Sequence, residues 1–128
     1  MVQSFRDLLV WQKSMKLATL IYRITQQFPQ HEMYGMVSQM RRCAVSIPSN
    51  IAEGYGRLTI GEYRQFLAIA RASSFELQTQ LEIACAVNFV TPEAIGEAES
   101  LSHQVGKMIY SILEKTRGPR PPSRSRIA

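Results

Sequence analysis

Residues 59–88 read TIGEYRQFLAIARASSFELQTQLEIACAVN, and this stretch decides the fold. Tyr63, Leu67, Ala70, Ser74, Leu77, Leu81, Ala84 and Asn88 recur at alternating steps of four and three. That is a heptad seam, the spacing of one helical face packed on a neighbour. Thr59 followed three residues later by Glu62 fits a capping box, so the helix is expected from about Ile60 to Asn88. At 1.5 Å per residue it would be about 40 Å long. Ala70, Ala72, Ser73 and Ser74 near its middle leave room for a close helix neighbour.

Three more helices surround it. Val10, Leu17, Ile21, Ile24 and Phe28, with Leu8, Trp11, Met15, Ala18 and Tyr22 beside them, predict a first helix from about Leu8 to Gln27. Its apolar face is wide, as in a bundle rather than a two-stranded coil. Asp7 is the expected N-cap, and Phe28-Pro29 the stop, because a residue before proline avoids helical dihedrals. A second helix, about Glu32 to Tyr55, carries Met33, Met36, Val37, Met40, Cys43, Ala44, Ile47 and Ile51 on one stripe. Pro48 lies inside it and predicts a kink or short break at Ser46–Pro48. Gly54 and Gly56 are expected to end it. Thr91-Pro92 opens the last helix, which runs to about Thr116 through Ile95, Ala98, Leu101, Val105, Met108, Ile109, Ile112 and Leu113. The connections are short, so neighbours should be antiparallel. The expected fold is all-α: an antiparallel up-down-up-down four-helix bundle over residues 1–116, its second helix kinked at Pro48.

At 128 residues and 45% hydrophobic composition, the chain suits one globular domain. No run approaches the ~18 apolar residues of a membrane span. The opening MVQSFRDLLV mixes Arg6 and Asp7 among short apolar pieces, which argues against a secretory leader. Cys43 and Cys85 lie far apart and suggest reduced, buried thiols rather than a disulfide or zinc framework. The net charge of +5 comes from 15 basic and 10 acidic residues, but Arg117, Arg120, Arg124 and Arg126 cluster in the last twelve positions. Without those four, 11 basic residues face 10 acidic ones, so the bundle is nearly neutral. Residues 117–128, rich in proline and arginine, read as a disordered basic tail.

The search for catalytic chemistry finds no pattern. His31 and His103 have no second ligand at metal spacing, Gly54-Tyr55-Gly56 lacks the rest of a dinucleotide loop, and neither cysteine has a neighbouring histidine. No enzyme, cofactor or metal is expected. The polar signal is a stripe: Arg42, Ser46, Asn50 and Glu53 share one face of the second helix, and Ser73, Glu76 and Gln80 one face of the third. Two readings stand. One is a binding surface centred on Arg41, Arg42 and Asn50. The other, favoured here, is a buried network of Arg42, Ser46, Asn50, Glu53 and Glu76 that fixes helix register, with Arg42 paired to Glu76. Arg64 and Arg71 read as a solvated face.

The segment Ser38 to Gly54, SQMRRCAVSIPSNIAEG, resembles the signature of small four-helix-bundle proteins encoded by intervening sequences of bacterial 23S rRNA genes. Asp7 to Lys13, Glu62-Tyr63, and Ser73, Glu76 and Leu77 fall where that pattern expects them. The resemblance implies a bacterial cytoplasmic protein and a ring-like homopentamer. It also implies likeness in fold to the accessory variability proteins of diversity-generating retroelements, basic pentamers that bind a reverse transcriptase and nucleic acid. Exposed bulk is consistent with self-association: Trp11, Tyr22, Tyr34, Phe66, Ile69 and Phe75 exceed what one seam per helix can bury. The function expected is RNA or nucleoprotein binding, with Arg41, Arg42, Arg117, Arg120, Arg124 and Arg126 as phosphate contacts. The alternative is a protein-interaction scaffold that binds no nucleic acid.

Overall fold

The computed structural model describes residues 1–119. Four α-helices make the fold: α1 (Leu9–Thr25), α2 (Ser38–Tyr55), α3 (Ile60–Ala86) and α4 (Pro92–Lys115). No strand occurs among the described residues. Each helix packs on two neighbours, in the cyclic order α1, α2, α3, α4 and back to α1. Cross-helix contacts give the directions. Lys13 reaches Gln104, while Lys16 reaches Glu97, so α1 and α4 run oppositely. Cys43 meets Ser73 and Gln78 meets Ser102, which sets α2 against α3 and α3 against α4. The expected up-down-up-down bundle is what the chain forms.

The α3 seam is the spine of the core. Leu67, Ala70, Ser74, Leu77, Leu81 and Ala84 are all wholly buried. Facing them are Leu17 and Ile21 of α1, Met40, Ile47 and Ile51 of α2, and Val105 and Ile109 of α4. The buried hydroxyls are satisfied locally. Ser14 donates to Trp11 O, Thr25 to Ile21 O and Ser74 to Arg71 O, while Ser102 donates across to Ser74 O at 3.1 Å. Polar atoms can therefore sit in the core without the desolvation cost of an unmade bond.

Caps follow the sequence at two starts. The Thr59 hydroxyl accepts from Glu62 N and that of Thr91 from Ala94 N, with Pro92 at the first helical position. At the N-terminus Asp7 does not cap α1. It closes a capping box with Ser4 around a short 3₁₀ turn, Phe5–Asp7, and α1 begins two residues later without a side-chain cap.

Three further expectations are corrected. The α2 helix is continuous from Ser38 to Tyr55, Pro48 included, so of the kink or short break expected at Ser46–Pro48 the break does not occur. The irregularity lies earlier, in a π-type turn at Met33–Val37 where Gly35 leaves helical dihedrals and the Glu32 carboxylate accepts from Met36 N. Gly54 is not a terminator but a buried position inside α2, where a Cβ would stand 2.9 Å from Phe66 Cβ. Asn88 lies past the end of α3 and outside its seam. With φ 63 it takes the left-handed position of a Schellman turn, Phe89 N donating to Ala84 O and Asn88 N to Cys85 O. Short polar asparagine tolerates that conformation better than most residues.

Candidate functional site

Of the two α2 arginines among the expected contacts, Arg41 is engaged within the fold. Its Nε donates to Thr25 Oγ1 at 2.9 Å and its Nη2 to Tyr22 O at 3.4 Å, with the guanidinium 4.6 Å from the Tyr22 ring centre. A cation against Tyr22 O, in the last turn of α1, meets the negative end of the helix dipole. Arg42, one residue on, is exposed. It borders two grooves, one with Tyr34 and Met33, the other with Gln39, Ser46 and Glu76.

The buried register network takes a different form from the one expected. Arg42 and Glu76 are both exposed and form no ion pair among the described residues. Glu53 pairs instead with Arg57 at 3.5 Å on the surface. The α2–α3 bonds come from small groups. The Ser46 hydroxyl lies 2.6 Å from that of Ser73 and Cys43 Sγ donates to Ser73 O at 3.1 Å, while Asn50 Nδ2 donates within α2 to Ser46 O. The physical reason is distance from solvent. Side chains as long as Arg42 and Glu76 reach water at the rim, whereas serine and cysteine, being short, must bond inside. Burial pushes the Cys43 thiol up to about 12, aided by the Glu76 charge and partly opposed by a backbone hydrogen bond from Leu77. That thiol stays protonated and is unsuited to nucleophilic attack.

Sequence reading missed Arg64 and Arg71, taken as a solvated face. Arg64 donates to Leu113 O and, at 2.8 Å, to Thr116 Oγ1, holding the end of α4 as Arg41 holds the end of α1. Arg71 is half-buried between two rings, 4.9 Å from the Phe75 centre and 5.1 Å from that of Tyr110. The only signal available was their i, i+7 spacing, which does not say what lies opposite.

Charge is divided along the bundle. Toward the end where α3 passes into α4, Glu32, Glu76, Glu82, Glu93, Glu97 and Glu99 outnumber Lys16, Arg23, Arg41 and Arg42. Arg57, Arg64, Arg71, Lys107, Lys115 and Arg117 lie toward the opposite end, where they outnumber Asp7, Glu53, Glu62 and Glu114, and Glu53 and Glu114 are paired with Arg57 and Arg117. Arg117 follows α4 directly, so the basic segment leaves from the basic end; Arg120, Arg124 and Arg126 lie outside the described residues. A separate groove of about 500 Å³ runs between α1 and α2, lined by Trp11, Met15, Tyr22, Val45, Pro48 and Ala52. Met15, Tyr22 and Val45 are each exposed by about two-fifths there. Among the described residues no helix is long and apolar enough to cross a membrane, and no three metal-ligating side chains cluster.

Comparison with known proteins adds the following. The family model described as 23S rRNA-intervening sequence protein matches residues 6–111. No curated protein matches the chain. A crystal structure from Bacteroides thetaiotaomicron, of a protein with unknown function from the S23 ribosomal protein family, is similar in fold, with TM-score 0.75 and 24% identity. The likeness covers 83% of this chain and 99% of that one.

Proposed function

The chain belongs to the 23S rRNA-intervening sequence protein family, and from that premise we propose that it is a non-enzymatic bundle that associates with copies of itself and binds RNA. The observation that carries RNA binding is the lengthwise division of charge, with the arginine-rich tail leaving from the basic end. Phosphates are sequence-independent partners for such a surface. Arg117, Arg120, Arg124 and Arg126 are the main contacts in this reading. Arg42 is a further one at the far end, while Arg41 serves α1 first. Self-association is supported by the apolar groove between α1 and α2, and in this reading the assembly is the five-membered ring that the family resemblance implies. A cytoplasmic setting follows from the same resemblance.

The test is fluorescence anisotropy with a labelled single-stranded RNA, titrated with the full chain and with a chain lacking residues 117–128 at several salt concentrations. Truncation is expected to leave the fold intact and to flatten the slope of log K against log salt by up to about 0.7 per lost contact. An unchanged slope would transfer binding to the bundle, Arg42 included. Absence of binding by the full chain at low salt would overturn the RNA reading and leave the scaffold alternative. Light scattering tests assembly separately. A clean 14.5 kDa particle at micromolar concentration would refute self-association.

A further inference from the structure

Arg71 is a cation without an anion. It is half-buried, its Nε is fully covered with no hydrogen-bond partner, and no carboxylate pairs with it among the described residues. The nine positions beyond them, 120–128, contain no acidic side chain. Two aromatic faces compensate part of the lost hydration. Only Nε is covered; the terminal nitrogens make no hydrogen bond among the described residues and keep donors for an acceptor that enters the pocket.

The surroundings say what would accept. Arg71 lines a pocket of about 260 Å³ between α3 and α4, with Phe75, Gln78, His103, Lys107 and Tyr110 around it. Arg71 and Lys107 contribute two cations, and no acid lines the pocket. Phe75 and Tyr110 remain 47% and 50% exposed, so flat apolar surface stands beside the positive charge. An anion attached to a flat ring satisfies both features. The room suits one such unit and not a stacked pair. Tyr110 stands six residues before Thr116, about 9 Å along α4 from the point where the basic tail departs.

We propose that this α3–α4 pocket is a single-nucleotide subsite for single-stranded RNA, with a phosphate on Arg71 and Lys107 and the adjoining base against Tyr110 or Phe75. The proposal rests on the RNA reading above and adds the site and strandedness. A base in a duplex has both faces covered by its neighbours. An unpaired base has a face free for an aromatic side chain, and stacking of this kind is tolerant of sequence.

The experiment uses the full-length protein and anisotropy with one oligoribonucleotide, single-stranded and annealed to its complement. Arg71→Gln, Tyr110→Leu and Phe75→Leu are compared with wild type and with Arg23→Gln, an exposed arginine in the last turn of α1 at the other end, and circular dichroism melting verifies each fold. Arg71→Gln and Tyr110→Leu are each expected to weaken single-strand binding about five-fold or more, with duplex binding little changed. Tyr110 is half exposed, so its variant keeps the test available if Arg71→Gln unfolds. Adenosine monophosphate is expected to compete better than inorganic phosphate at equal concentration. Folded variants that bind the single strand as wild type does would overturn the subsite and leave RNA binding standing. Equal competition by inorganic phosphate would reduce the pocket to a bare anion site and overturn the base contact. No RNA binding by wild type at low salt would overturn both.

Discussion

Arg41 Nε donates to Thr25 Oγ1 at 2.9 Å, and Thr25 Oγ1 in turn donates to Ile21 O at 2.7 Å. The start of α2 is thereby tied to the last turn of α1 across the intervening loop. Arg41→Ala is expected to lose about 1–2 kcal/mol in urea unfolding, from charge-assisted bonds that are partly open to water. Lysine should restore only part of it, since one ammonium cannot reproduce the two-nitrogen contact. Arg42→Ala, next in sequence but exposed, should stay within about 0.5 kcal/mol of wild type. Equal losses for the two would refute the cap.

Glu76→Ala is expected to change stability by no more than about 0.5 kcal/mol, because the carboxylate is exposed and unpaired among the described residues. Ser73→Ala should cost more, about 1 kcal/mol, by depriving the Ser46 hydroxyl of its 2.6 Å partner. Thermal melts of the two variants compare them directly, and a larger loss from Glu76→Ala would restore the buried ion pair.

Two glycine-to-alanine changes should move in opposite directions. At Gly54 the new Cβ would meet Phe66 Cβ at 2.9 Å and Tyr63 O at 3.3 Å, groups near or in the backbone that cannot swing away. Overpacking there is expected to cost about 1–3 kcal/mol. At Gly96, exposed within α4, nothing lies within 4 Å, and alanine should stabilise by about 0.5–1 kcal/mol. Denaturant midpoints that shift the same way would contradict the packing of α2 on α3.

The Cys43 thiol gives a pH dependence. Its folded value of about 12 lies above the ordinary 9.0, so on raising pH the unfolded chain ionises first. Its contribution is complete below pH 9 and is lost as pH rises from about 9 toward about 12. Denaturation at graded alkaline pH should show a shallower decline in Cys43→Ala than in wild type. Tyr63 and Cys85, also raised by burial, leave a residual slope in the variant. Parallel curves for the two proteins would refute the shift.

The helices were legible because their signals are local. The seam from Leu67 to Ala84 needs only its own periodicity, and the caps at Thr59 and Thr91 only the next three residues. The arginines were not, because each acts on a helix end supplied by a different part of the chain. Arg41 finds Tyr22 and Arg64 finds Leu113, and sequence spacing does not say which ends lie side by side. The facing of α2 and α3 was read well enough to bring Arg42 and Glu76 to one groove. Their depth was not, since it depends on how closely the backbones approach, which Gly54, Ser46 and Ser73 allow. The turn at Gly35 gave no periodic signal at all.

A rod with an excess of glutamates toward one end and an excess of arginines and lysines toward the other carries a permanent dipole along its axis. Near a polyanion that dipole feels a torque before any contact forms, so the molecule arrives basic end first. Between two copies the same dipole has a second consequence. Side by side in parallel they repel weakly, and end to end they attract, so any ring of parallel copies must be held by apolar contact against its own electrostatics and should tighten as salt is added.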